Sequence, residues 1–449
     1  GSTRDHTRRI RMTDRVVVIG GGIGGAVASL QLAKAGRDVV LLERGNELGG
    51  LVVSFEIGGT PLERAFHHLI PGEPHILELL KELDLYGRVS WQPSSVAMLE
   101  RGRVWPFTSP LDLLRFSPLP FFDRIRMGLG ALRFARIEDW EPLDREPAVD
   151  WLRRLTSPKA VEVVWEPLLR VKFDRAATNV PASWMWARFR ARAGGRKRGR
   201  EYLGYLRGGF RQMFGALAQR LTEAGVDVRL GSAAKAIAVD GRRAIGIDLG
   251  GEQLEADSVL FCGPLPALPS LVPEALRDQR WVDAKGLGVV CVVIEMTRPA
   301  SDVYWVNVTD PDIGMGGFIE HTNLVPPSDY GGKHLAYMSR YYLQDEPIAS
   351  VPPEQTAEIW LDQLEDRMPG FSRSNVTAVH PFRAPYAAPL VGLGYRSTIP
   401  PIRSHIDGLY VCTTAQIYPQ DRGMSEGVRL ALDAAATMLA GDPLLRNGA

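Results

Sequence analysis

Six residues, Gly20-Gly21-Gly22-Ile23-Gly24-Gly25, put glycine at the three fixed places of the pattern G-x-G-x-x-G, with Gly20, Gly22 and Gly25 in register. Such a run suits the holding of a pyrophosphate. The first glycine makes a tight turn, the second lets backbone approach the phosphates, and the third lets a helix lie against its strand with its N-terminus facing the anion. Glu43 stands 23 residues after Gly20, where a carboxylate accepts from ribose hydroxyls. Together these residues predict a bound dinucleotide.

Other residues carry chemistry of their own. In His67-His68 a neutral imidazole could take a proton while hydride leaves an adjacent carbon, although a polar pair satisfied at a domain seam has the same spelling. Glu320-His321 pairs an acid with an imidazole, which suits base work and equally an exposed strand end. Tyr386 offers a pocket wall with one polar handle, or a packed interface. Arg188, Arg190, Arg192, Arg196, Lys197, Arg198 and Arg200 run without an acid until Glu201. With Gly194, Gly195 and Gly199 among them they read as a mobile basic loop, open to a phosphate, to anionic lipid or to solvent alone.

These residues need elements to hold them. Val16–Ile19 is a β-branched run, Val27, Leu30 and Leu32 follow at helical spacing as far as Gly36, and Val39–Leu42 is a second apolar run. Strand, helix and strand thus end at Glu43. Pro74 opens a helix in which Ile76, Leu79, Leu80 and Leu83 share a face. From about Val104 to Arg200 the chain is rich in Trp, Phe, Leu and Arg and is broken by proline, which predicts a layer of short helices. Its aromatic part, Trp105–Phe134, lines a substrate tunnel or dips into a membrane interface. Phe210 to Leu221 form an amphipathic helix, Val259–Phe261 a buried strand, and Gly288–Met296 and Val303–Val308 strands of a second sheet. Leu409–Cys412 and Ser425–Leu439 return to the first pattern.

Composition narrows the class. The 449 residues allow about two to four domains. With 45% hydrophobic and 23% charged residues, neither a disordered nor a bilayer-spanning chain is expected. Against 52 acids, 53 Lys and Arg leave a formal charge of +1, so no whole-molecule field recruits nucleic acid. Cys262, Cys291 and Cys412 show no metal spacing and cannot all pair, which fits a reducing, cytoplasmic location. Gly1-Ser2 reads as a tag scar and Met12 as the native start.

Glu43-Arg44 followed by Gly49-Gly50 resembles the extended fingerprint of glutathione-reductase-type flavoproteins, which implies FAD. Over nearly the whole chain the pattern resembles the superfamily of amine oxidases, protoporphyrinogen oxidase and phytoene-type desaturases. Asp421-Arg422-Gly423-Met424 is similar to its C-terminal flavin clamp, which assigns Asp421, Gly423 and Met424 to the cofactor along with Gly20, Gly22, Gly25, Glu43, Arg44, Gly49 and Gly50. His67-His68 falls in a loop that passes the flavin ring in that family, and Trp165 to Phe173, with Arg170 and Lys172, resembles its segment running toward the active site. The chain departs from the family pattern at Thr413-Thr414, where Gly-Asp is common, and at Gly288, where amine oxidases commonly carry Lys.

The resemblance implies an α/β fold, with a Rossmann-like FAD-binding domain built from separated segments and an inserted substrate domain of helices and mixed β-sheet. The expected division is 12–100, 201–270 and 386–449 for the FAD-binding domain, 101–200 for the helical layer and 271–385 for the mixed sheet. The expected activity is FAD-dependent removal of hydride from an apolar or amphiphilic biosynthetic substrate, with oxygen or a quinone as acceptor. The alternative is a redox-neutral isomerase or mutase acting on a nucleotide-sugar or prenyl-phosphate. The partners are thus a small apolar, amphiphilic or phosphorylated molecule and no nucleic acid, with peripheral membrane contact left open. No metal is expected.

Overall fold

The computed structural model describes residues 15–134, 136–194, 196–197 and 200–441. Gly1-Ser2, Met12, Arg198 and the side chains of Arg192, Arg196 and Lys197 lie outside that description. The backbone of 196–197 pairs with Arg200 and Glu201 as a short hairpin, where a basic loop was expected.

Strand β1 (Arg15–Ile19), helix α1 (Ile23–Lys34) and strand β2 (Asp38–Leu42) form the expected unit. Val16, Val17 and Val18 are all buried, as a parallel strand covered on both faces requires. Asp227–Arg229 pairs beyond β2, and Ser258–Phe261 and then Leu409–Val411 pair on the other side of β1, all parallel. Three separated stretches of chain therefore build one sheet, and the order in which its strands are laid down reverses beside β1. Gly20 sits at the carboxyl end of β1, where such sheets bind ligands. A side chain at Gly25 would place its Cβ 1.8 Å from the Gly20 carbonyl oxygen, so only glycine lets α1 start this close to its strand.

The insert begins with helices. Ser109 caps α2 (Pro110–Arg115), with Asp112 reaching back to it, and α3 (Phe121–Phe134), α4 (Glu166–Phe173) and α5 (Ala182–Gly194) follow. Their shared core is aromatic. Phe134 stacks on Phe189 with ring centroids 4.3 Å apart and on Trp151 at 4.8 Å.

A seven-stranded mixed sheet completes the insert. Its longest central strand is β3 (Gly286–Met296), buried along its whole length. Val376–Pro389 pairs on one side of it and His334–Leu343 on the other, followed by Gly317–Glu320, Trp305–Val308, Val96–Glu100 and Arg103–Pro106. Val96–Glu100 thus leaves the stretch assigned to the parallel-sheet domain. Its run Val96-Ala97-Met98-Leu99 is buried by pairing with Trp305–Val308, a contact that local periodicity does not encode. The chain returns to α6 (Met424–Ala440), which packs beside α1.

One buried acid pins the two parts together. Glu63 accepts from the Tyr205 hydroxyl at 2.6 Å and from the Phe210 amide at 2.7 Å, while its carbonyl accepts from Tyr337 at 2.8 Å. Burial raises its carboxyl to about 7, against the lowering effect of those two donors. Replacing Glu63 by Ala leaves an amide and a hydroxyl buried without partners, and the expected loss is about 2–5 kcal/mol. A melting temperature within error of wild type would show that these donors find other acceptors.

Candidate functional site

A single cavity of about 3100 Å³ runs from the glycine turn of β1 to the helical layer. At one end Gly22 and Gly50 face each other. A Cβ on Gly50 would lie 3.1 Å from the Gly22 Cα, and a Cβ on Gly22 would meet the Gly50 Cα at 3.7 Å. Helix α1 begins here with no side-chain cap and no acid in its first turn, so its first amides and its dipole are offered to the cavity. Glu43 accepts from the Gly21 and Gly45 amides, each at 2.7 Å. Each carboxylate oxygen keeps a second lone pair, and Glu43 lines the cavity with Arg44, Gly49 and Gly50. These residues fit a dinucleotide with its pyrophosphate over α1 and a ribose at Glu43.

A second helix starts at the same wall. Gly423 precedes α6 in extended conformation without a side-chain cap, and Gly423 and Met424 line the cavity. Glu426, in the first turn of α6, is held by Arg429 at 2.8 Å. A Cβ on Gly427 would lie 2.8 Å from the Ile23 side chain, so the two N-termini sit side by side.

Asp421 is the hub of an ion cluster. Lys172 on α4 donates to it at 2.6 Å and Arg188 on α5 at 2.8 Å. Burial alone would raise this acid, but the charges of Lys172 and Arg188 outweigh burial and hold it at about 2. Burial likewise brings Lys172 down to about 8, although Asp421 opposes it. Arg422 donates to the Tyr341 hydroxyl at 2.8 Å, and its Nε is buried without a partner among the described residues. Trp165 Nε1 is in the same condition. Both side chains line the cavity, and buried donors in that state point to a polar ligand.

His67 lines the cavity too. Its Nδ1 lies 2.8 Å from the Ala65 carbonyl. A carbonyl only accepts, so Nδ1 carries the proton and Nε2 keeps its lone pair. Burial, aided by the charge of Arg422, lowers His67 to about 4, and it is neutral at physiological pH. His68 lies against Tyr304, Nδ1 to hydroxyl 3.4 Å. Tyr386 lines the cavity above Gly286, where any Cβ would stand 2.2 Å from its ring.

The structure does not bring Glu320 and His321 to this cavity. Glu320 is fully buried away from its lining, accepting from the Ala300 amide at 3.1 Å and from the Thr322 hydroxyl at 3.3 Å. Burial raises it to about 7. His321 meets the Tyr330 hydroxyl at 2.8 Å within a nest of Tyr205, Tyr330 and Tyr337, and burial lowers it to about 3. Sequence left base work and an exposed strand end open here; the structure shows neither an exposed end nor a place on the cavity, for three aromatic rings cover His321. Sequence reading assigned no role to Arg422 or to Glu73. Arg422 stands inside a motif that was quoted, whereas Glu73 carries no local signal. Glu73 lines the cavity, accepts from the Ile70 amide at 2.9 Å and is raised to about 7 by burial.

Comparison with known proteins agrees with this geometry. The family model described as flavin containing amine oxidoreductase matches residues 23–439. The chain is 28% identical over 163 residues, 33% of its length, to 15-cis-phytoene desaturase of Synechococcus elongatus, of which the match spans only about a third, 34%. Its fold is similar to that of an oxidoreductase from Methanosarcina mazei, with TM-score 0.72 and 20% identity, covering 95% of this chain and 100% of that one. It is also similar to that of a reduced UDP-galactopyranose mutase, with TM-score 0.72 and 14% identity, covering 96% of each chain.

Two outcomes follow. A valine at Gly22 fills the space before α1, so Gly22→Val purifies with native circular dichroism and without flavin absorbance; full flavin occupancy would overturn the cradle. Glu320→Gln keeps the flavin spectrum and its rate of reoxidation by air. Because the folded carboxyl titrates near 7 and the unfolded one near 4.5, its stabilising share is full below pH 4.5 and is lost as pH rises through 7. The variant therefore loses less melting temperature than wild type across that window, and an unchanged slope would refute the assignment.

Proposed function

Since the chain belongs to the flavin containing amine oxidoreductase family, we propose that it removes hydride from an apolar or amphiphilic biosynthetic substrate as a dehydrogenase, oxidase or desaturase, passing the electrons to oxygen or a quinone. The bound flavin supplies the two-electron acceptor. The observation that carries the reading is His67, a neutral imidazole with a bare Nε2 in the same cavity as the dinucleotide cradle. In this reading His67 Nε2 takes a proton from the substrate as its neighbouring carbon gives up hydride. Leu113, Met127, Leu168 and Met185 wall the far part of the cavity and exclude water from an apolar chain, and Tyr386 confines it from the sheet side.

The ion cluster favours a second reading. Lys172 and Arg188 pair with one acid, Asp421, and the charge of Arg422 acts on the same acid, so the cluster carries positive charge in excess and suits a phosphorylated substrate. A redox-neutral isomerase or mutase on a nucleotide-sugar or prenyl-phosphate is the activity that goes with it. Timed exposure to air after anaerobic dithionite reduction separates the two. Rapid reoxidation supports an oxidase; activity that needs prior reduction and consumes no oxygen supports the isomerase.

Under the first reading His67→Ala keeps its flavin and bleaches with apolar substrate about 10²–10⁴ times more slowly. The wild-type bleaching rate falls only below about pH 4, where His67 gains its proton. Equal bleaching rates in the two proteins would remove His67 from the reaction.

A further inference from the structure

Glu73 stands where two helices start. It precedes the helix Pro74–Glu82 without capping it, and its Oε1 lies 3.7 Å from where a Cβ on Gly423 would stand, at the start of α6. Both residues line the cavity. An acid in that place ordinarily caps an amide two or three residues on, but the Ile76 amide is already taken by Ser425 Oγ on α6, at 3.3 Å. Glu73 turns back instead, and Oε2 accepts from the Ile70 amide at 2.9 Å. Oε1 has no donor among the described residues.

No cation offsets this carboxyl. Arg422, next to Gly423 in the chain, donates to Tyr341, and Glu426 in the first turn of α6 is held by Arg429. The charge that reaches Glu73 is that of Glu426, another acid. Burial, aided by that charge, raises Glu73 to about 7. A carboxylate here would compete with a bound pyrophosphate for the uncapped amides and dipoles of α1 and α6. Protonation ends the competition. The bound anion therefore raises this carboxyl further, so affinity is full below pH 7 and is lost as pH rises through it.

We propose that Glu73 holds a proton whenever FAD is in place, so that cofactor binding and protonation of this one carboxyl are coupled and alkaline solution loosens the cofactor. The proposal rests on the cofactor cradle, which Gly22→Val tests separately, and on neither substrate reading. The test compares wild type with Glu73→Gln. Each flavin-loaded protein is diluted to equilibrium at pH values from 6 to 8, and released FAD is read by its fluorescence. At pH 6 the two hold FAD alike. Toward pH 8 wild type weakens relative to the variant by up to about tenfold, the limit for one proton over one pH unit. Lys172, which titrates at about 8, and Glu63 and Glu320, at about 7, are common to both proteins and cancel in the ratio of their dissociation constants. A ratio that stays constant from pH 6 to 8 overturns the proposal. Should Glu73→Gln fail to fold, Glu426→Gln decides it. Removing that charge moves the break in FAD affinity to lower pH, and a break that does not move overturns the coupling.

Discussion

Two helices, α1 and α6, begin at one wall of one cavity, and neither has a side chain to cap it. The first amides of each need an acceptor, and a polyanionic ligand supplies it. That requirement organises the rest of the chain. β1 and Leu409–Val411 lie in one sheet with Ser258–Phe261 between them, and this brings residues separated by most of the sequence to a common edge. The close approaches at Gly25 and Gly427 serve the same end, because a side chain at either would push one N-terminus away from the other. Long insertions between the strands are tolerated because the sheet asks only that each segment return to its edge.

The insert is tied to that edge by charge. Asp421 stands just before α6, and its partners Lys172 and Arg188 come from two different helices of the inserted layer. The anchor is therefore polar and lines the cavity, whereas the neighbouring anchor at Glu63 is sealed from it. The departure from the family pattern at Thr413-Thr414 is accommodated in backbone terms. Gln416 accepts from the Thr413 amide at 2.7 Å and donates to the Pro400 and Val411 carbonyls, each at 3.1 Å. Gly288, the other departure, makes room for a ring, since a Cβ there would stand 2.1 Å from Tyr342.

What sequence made legible follows from the range of the forces involved. The strand, turn and helix around Gly20 are written in neighbouring residues, as is the helix after Gly423, because burial on both faces and close helix starts leave local patterns. The cluster of Lys172, Arg188 and Asp421 is not local, and the Arg-rich stretch announced charge without its partner. Glu320-His321 misled for the same reason. An acid beside an imidazole is spelled alike whether it faces a ligand or a nest of tyrosines from a following turn, the paired strand and the distant Tyr205. Val96–Glu100 completes the case, for its apolar run fits either sheet and only its pairing with Trp305–Val308 decides.

The same wall of charge bears on His67, the proposed base. Two effects hold His67 low, burial first and the Arg422 charge second. An anion bound against Arg422 would cancel part of the second and leave the first in place. Because burial is the larger, His67 stays neutral whether the ligand is a hydrocarbon or a phosphate ester, and Nε2 keeps its lone pair in either case. The protonation state of His67 therefore does not separate the two proposed substrate readings. They differ in what would sit against Lys172, Arg188 and Arg422, whereas the free lone pair on Nε2 follows from the Ala65 carbonyl and from the burial of the ring.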